Sequence, residues 1–491
     1  MIMPPDPMIR RHIYDRNISI MADKTLLLKN ADLLCTMGPS DAGSGLFAAH
    51  VGRPGDHCGA EIKNGGLFAR NGIIEAVGDT GSLPADADTV IDMTGHVVIP
   101  GMVNTHHHMF QNLTRAVPAA QNAPLFGWLQ TLYPIWCNLG PDHIYWSNAL
   151  AMAELALSGC TTSSDHLYLY PNGARLDDSF AAAADIGMRF HGTRGSMSIG
   201  ESKGGLPPDR LTEAEPTILA DCQRLIETHH NADRYAMHRV ALAPCSPFSV
   251  SMDLMRETAH MARAYQVGMH THLAENSEDI DYSLASFGMR PGEYIEAVEW
   301  VGNDVWHAHC VQLDPREINL FARTGTGIAH CPCSNMRLSS GIAPVREMID
   351  AGVKVGLGVD GSASNDSGHM LNEARQAMLL QRVMKSGDAM TARESLALAT
   401  RGGAAVLNRD DIGVLAPGYA ADIAAFDCRG IDFAGAEWDL LAGLLFCGPI
   451  KTSYTIINGK IIVDQGQLVS MDMQHLLSKH RAMTADLMGK A

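Results

Sequence analysis

The segment Asn104–Gln111, NTHHHMFQ, sets three histidines in a row behind the apolar run VVIPGMV. At the end of an extended strand side chains alternate faces, so His106 and His108 point together and His107 points away. Two imidazoles on one face, two residues apart, are spaced to share a metal ion, and the rest of the chain should supply the missing ligands. Three later segments offer them: HTHLAEN with His270, His272 and Glu275, HAHC with His307 and His309, and GLGVDGSASND with Asp360. His106, His108, His272 and Asp360 make a three-histidine, one-carboxylate set with an open position for water, suited to one Zn²⁺ or Fe²⁺ ion. Such an ion lowers the pKa of its water towards neutrality, which is hydrolytic chemistry. Asp360 could hold the ion and also take the water's proton. Glu275 could carry a proton over a substrate, and His309 could polarise or shuttle. His307, two residues earlier, competes with His309 for that role. His107 and His270 are read as facing away from the centre.

These residues lie far apart in sequence, so a scaffold must gather them. Eight short β-rich runs are legible: GMVNTHHH, GCTTSSDH, MRFHGTRGS, HRVALAPCSP, GMHTHLAE, VWHAHCVQL, TGIAHCPCS and KVGLGVD. Helical-period runs stand between most of them, the sequence form of a (β/α)8 barrel, whose reactive groups collect at the C-terminal ends of the strands. The candidate ligands belong to the first, fifth and eighth runs, and the shuttle candidates His307 and His309 to the sixth. Before residue 99 and after residue 411 the style is strand and turn, with Asn-Gly and Gly-Asp hairpin signals. The expected organisation is a loose tail over 1–20, the first part of a small discontinuous β-sandwich over 21–98, the barrel over 99–411, and the rest of the sandwich plus a final helix over 412–491. Gly38–Gly65 is expected to be a surface insertion, and Met21 is an alternative start.

The net charge of −17 argues against nucleic-acid and anionic-membrane partners, which call for basic patches. Eleven scattered cysteines make no disulfide framework, which fits a reducing cytoplasm. Cys331 and Cys333 in HCPCSN are the only close pair and read as buried thiols. No secretory h-region opens the chain, and no run of 18 apolar residues occurs.

Taken together, PGMVNTHHH, HTHLAEN, HAHCVQL, HCPCSNMRL, GLGVDGSASND, ADIAAFD and IINGKIIV resemble the amidohydrolase superfamily. They look like its mononuclear-metal branch of aminohydrolases acting on purines, pyrimidines and triazines, over nearly the whole chain from Lys24 to Gly466. The resemblance implies the same roles for His106, His108, His272, Glu275, His309 and Asp360. No lysine ends the fourth β run, ALAPCSPFS, which disfavours the two-metal branch. GCTTSSDHLYLYP, HGTRGSMS and CPCSNMRLSSGIAPVREM point, within that resemblance, to deamination of a guanine-like purine, 8-oxoguanine to urate and ammonia. Guanine, cytosine, isocytosine or an s-triazine is the alternative substrate, and a non-catalytic scaffold homologue the alternative class. A homodimer is implied by the resemblance alone. Gln111, Arg194 and Ser334 are the expected substrate contacts. The competing roles are a surface residue for Gln111, a loop salt bridge for Arg194 and turn satisfaction for Ser334. Asp165, His166 and Asn335 stay undecided, as does Trp128 between pocket lid and core.

Overall fold

A computed structural model describes residues 24–38 and 59–490. The expected tail and residues 39–58 of the Gly38–Gly65 segment lie outside the described residues. Eight parallel strands close a barrel in sequence order: β1 (Met102–Asn104), β2 (Cys160–Leu167), β3 (Arg189–Ser196), β4 (His238–Pro244), β5 (Gly268–Leu273), β6 (Val305–His309), β7 (Gly327–His330) and β8 (Lys354–Leu357). Every one of the eight predicted β runs forms a barrel strand. Helices cover the outside, so β2 and β3 are buried along their full length.

The helix after β6, Pro315–Thr324, illustrates how the sequence sets these elements. The Asp314 carboxylate accepts from the amides of Arg316 and Glu317, and Pro315 occupies the first turn, where a missing N–H costs nothing. Gly325, at φ 76°, ends it. Ile318, Leu320 and Phe321 face the barrel, and each such burial contributes about 1.5–3 kcal/mol.

The flanking segments form two sheets, of four and seven strands. Ile423–Asp427 pairs antiparallel with His96–Pro100, joining the two ends of the chain. Leu26, Leu28, Leu67, Ile74, Val98, Ile423 and Ile456 pack between the sheets in one apolar cluster. Arg189, at the foot of β3, forks onto Asp422 with Nε and Nη2 at 2.9 and 3.0 Å from the two carboxylate oxygens. Both side chains are fully buried, so this ion pair ties barrel to sheet. The closing helix, Met473–Met488, lies on Pro141–Leu157, with His143 Nε2 3.0 Å from Asp486. Among the described residues no helix is long and apolar enough to cross a membrane.

Candidate metal centre and active site

Beyond β1 and β8 the chain makes one more short pairing, in which Asp360 lies opposite His107 and Gly361 opposite His108. This bridge sets Asp360 over the barrel mouth beside the histidines. His106 Nε2 and His108 Nε2 lie 3.2 and 3.4 Å from the same oxygen, Asp360 Oδ1. His108 Nε2 and His272 Nε2 lie 3.0 Å apart. Ligand atoms held about 2.1 Å from an ion at tetrahedral angles stand about 3.4 Å from one another, so these spacings match a zinc-sized cation.

The surrounding hydrogen bonds fix where the protons are. His108 Nδ1 donates to the His166 carbonyl at 2.7 Å, and His272 Nδ1 to the Cys245 carbonyl at 2.6 Å. His270 Nδ1 donates to the Trp306 carbonyl at 2.9 Å, which leaves His270 Nε2 to accept from His106 Nδ1 at 2.7 Å. Each ligand candidate therefore turns an unprotonated Nε2 towards one point. Buried His106 Nε2 has no hydrogen-bond partner at all. Burial lowers the pKa of all three histidines. Several lone pairs and a carboxylate meeting in a buried place call for a cation, and these residues fit one.

The structure corrects the sequence reading of His270. Residues two apart on a strand share a face, so His270 points inward with His272, one layer below it, and supports His106 rather than facing away. His107 does turn aside, where its Nδ1 accepts from the His108 amide. His307 also lies outside the centre, donating to the Trp300 carbonyl at 3.1 Å and packing on Phe321. Strict alternation would send His309 outward with His307. The left-handed backbone at His309 and Cys310, φ 70° and 53°, breaks that alternation, and the His309 ring sits 5.5 Å from that of His272. Asp360 is also left-handed, at φ 60°. Such conformations cost about 1–3 kcal/mol each and gather at functional sites.

His309 Nε2 lies 3.6 Å from Glu275 Oε2 and 3.8 Å from Asp360 Oδ2. Its Nδ1 donates to Asn335 Oδ1 at 2.8 Å, so Asn335 orients the ring. Burial works against a charged imidazole here, but the carboxylates of Glu275 and Asp360 outweigh it and raise the pKa of His309. Burial pushes Glu275 up to about 7, poised to gain or lose a proton near neutral pH. Burial also opposes ionisation of Asp360, yet the histidines around it, His106 and His309 foremost, hold it well below the usual carboxylate range.

A cleft opens above these groups, walled by Leu125, Trp128, Leu129, Leu206 and Phe248. Trp128 serves both roles weighed for it, since it lines the cleft and donates Nε1 to the Ala363 carbonyl at 3.0 Å. Gln111 lines the cleft too, and its buried Oε1 has no partner. Its amide occupies the space over Gly361, where an added Cβ would lie 1.8 Å from Oε1.

Two expected substrate contacts do not reach the cleft. Arg194 faces outward from β3, where Glu213 takes both terminal nitrogens at 2.9 Å and Asp221 takes Nε at 3.1 Å. Its guanidinium also lies over the Tyr170 ring. Ser334 is fully buried and gives its hydroxyl to Asp360 Oδ2 at 2.5 Å, so it steadies that carboxylate instead. Ser364, whose Oγ lies 2.9 Å from that of Ser334, takes the place at the cleft.

Asp279 also lines the cleft, and the sequence reading missed it. Its Oδ2 accepts from the Glu275 amide at 2.8 Å, while its buried Oδ1 has no partner. The only sequence signal was an acidic residue one helical turn beyond Glu275. His166 stands close enough to form a second potential ligand group with His106, His108 and His272. Its ring is stacked 5.0 Å from that of His272. Asp165 accepts from the Met109 amide at 2.8 Å and so anchors the segment after His108.

The profile of the amidohydrolase family matches residues 97–462, and the chain belongs to that family. It is a metal-dependent aminohydrolase by class, and its relatives are deaminases and hydrolases. An 8-oxoguanine deaminase of Pseudomonas aeruginosa is 45% identical over 427 residues, covering 86% of this chain and 95% of that one. A hydroxydechloroatrazine ethylaminohydrolase of Pseudomonas sp. strain ADP is 38% identical over 399 residues, covering 79% and 82%. The crystal structure of an atrazine chlorohydrolase from Arthrobacter aurescens TC1, complexed with zinc, superposes with a TM-score of 0.86 at 31% identity, covering 94% of this chain and all of that one.

Proposed function

We propose that this protein deaminates 8-oxoguanine by hydrolysis, releasing urate and ammonia. The observation that carries this reading is the hydrolytic cluster at the barrel mouth, in a chain 45% identical to an 8-oxoguanine deaminase along most of both lengths. His106, His108, His272 and Asp360 are the proposed ligands of one divalent ion, zinc first and iron second. Asp360 is preferred to His166 because it alone brings negative charge to the ion. Bound there, such an ion would supply an activated water at neutral pH.

The remaining roles belong to side chains of this chain. Asp360 accepts the proton released by the attacking water. Glu275 carries a proton to the leaving amine, so that ammonia departs as the ring carbon takes the oxygen. His309, held by Asn335, stabilises the charge that develops on the ring. The apolar walls fit the two faces of a planar heterocycle and exclude bulk water. Gln111 Oε1 and Asp279 Oδ1, both buried acceptors with no partner, suit a ring rich in N–H donors. 8-Oxoguanine carries one more ring N–H than guanine, at the end with the C8 carbonyl. A site that pairs with such a group rejects the analogue lacking it by a factor of roughly 10⁴. A homodimer is the proposed assembly, on the family resemblance alone.

An ammonia-release screen over 8-oxoguanine, guanine, isocytosine, cytosine, adenine and aminotriazines tests the substrate. The proposal expects fast release from 8-oxoguanine and far slower release from guanine. Comparable rates on guanine, or activity confined to a pyrimidine or triazine, would reject this substrate and leave the centre's chemistry standing.

A further inference from the structure

At the opposite, N-terminal end of the barrel lies a second cavity, of about 410 Å³, within the size range of small-molecule sites. Its walls come from the first residues of β4, β5 and β6 and from residues 406–408, well after β8, with Val240, Val267 and Val406 among the apolar ones. Trp306 closes its inner side and stacks 4.8 Å from the His270 ring. Both residues thus stand between this cavity and the metal centre.

The charges around the cavity are unbalanced. Arg263, on the rim, is neutralised by Asp304 at 3.3 Å and Glu299 at 3.6 Å. Arg409, behind His191, is neutralised by both oxygens of Asp411. Arg239 has no ion-pair partner among the described residues. Its terminal nitrogens reach only the carbonyls of Asn408 and Ala232, at 3.4 and 3.5 Å, and its buried Nε reaches nothing. Burial and the neighbouring Arg409 pull its pKa down to about 10, although Asp410 and Asp411 oppose this. Burial also lowers the pKa of His191 and His230, with further lowering from the nearby arginines, and a neutral imidazole gives Arg239 no counter-charge. A partly buried guanidinium without a counter-charge is costly, and its planar fork suits phosphate and carboxylate oxygens.

We propose that this floor cavity is a second binding site, for a small molecule whose phosphate or carboxylate pairs with Arg239 and whose apolar body packs on Trp306, Val240 and Val406. The site is independent of the catalytic cleft, since its residues stand at the opposite ends of the strands.

Calorimetric titration of the metal-loaded, full-length protein tests this, using phenyl phosphate, benzoate and inorganic phosphate at constant ionic strength. Phenyl phosphate or benzoate should bind more tightly than inorganic phosphate, and the better of the two identifies the oxyanion. Arg239→Gln should weaken that binding at least about tenfold, the effect of losing one charge-assisted hydrogen bond, with metal content and ammonia release unchanged. Gln266→Glu, at an exposed rim position, should weaken it too by offering Arg239 a competing carboxylate, and it carries the test if Arg239→Gln does not fold. Absence of binding to the wild type, or affinity unchanged in the variants, would overturn the proposal. Binding abolished by saturating heterocycle would place the anion in the catalytic cleft and also overturn it.

Discussion

Replacing His270 by phenylalanine isolates the contribution of the layer beneath the metal centre. An aromatic ring able to stack on Trp306 is kept, but the acceptor for His106 Nδ1 at 2.7 Å and the donor to the Trp306 carbonyl at 2.9 Å are lost. His106 is fully buried, so its Nδ1 proton has no water to turn to. Leaving such a group unpaired costs about 1–3 kcal/mol. The proton can relocate to Nε2, but only by blocking the atom proposed to bind the ion. Loss of an orienting partner of this kind weakens metal binding roughly 10–100-fold, or about 1.4–2.7 kcal/mol. Zinc affinity measured by chelator competition should fall by that factor in His270→Phe and recover in part in His270→Gln, whose amide oxygen can accept. His307→Phe, which removes a buried histidine from the outer face of the same barrel, serves as the control and should keep its zinc. An unchanged zinc affinity in His270→Phe, or an equal loss in His307→Phe, would refute the reasoning.

Gly358 offers a steric test, since an added Cβ would lie 2.8 Å from His106 Cβ and 2.9 Å from Cys331 Sγ. Gly358→Ala should displace His106 and reduce metal content in elemental analysis, with about 1–3 kcal/mol lost to overpacking. Glu275→Gln should keep its metal while turnover falls roughly 10²–10⁴-fold, the usual share of general acid–base catalysis; loss of the ion would make Glu275 a ligand. Asp422→Ala strands Arg189 in a buried place and should cost about 3–5 kcal/mol in denaturant unfolding, with no change in zinc affinity.

The barrel was legible because each strand is a short β-rich run with helical material after it, and the ligand candidates were legible because they end those runs. Direction was harder to read. His270 was misjudged by an error of parity, whereas His309 obeys no parity, because its left-handed backbone leaves no mark in HAHC. Arg194 and Ser334 sit in segments that border the site, but their partners, Glu213, Asp221 and Asp360, are remote in sequence and only the fold reveals them. The same holds for Asp279 at the cleft and for Arg239 beneath the barrel, where burial and missing partners give the signal.

Stepwise reconstitution of metal-free protein with zinc, followed by urate formation from 8-oxoguanine, tests the central claim most directly. Activity should rise in proportion to added zinc and level off at one ion per chain, and His106→Ala should remain inactive throughout. Urate formation without metal, a plateau at two ions per chain, or no urate from the fully loaded protein would contradict the account.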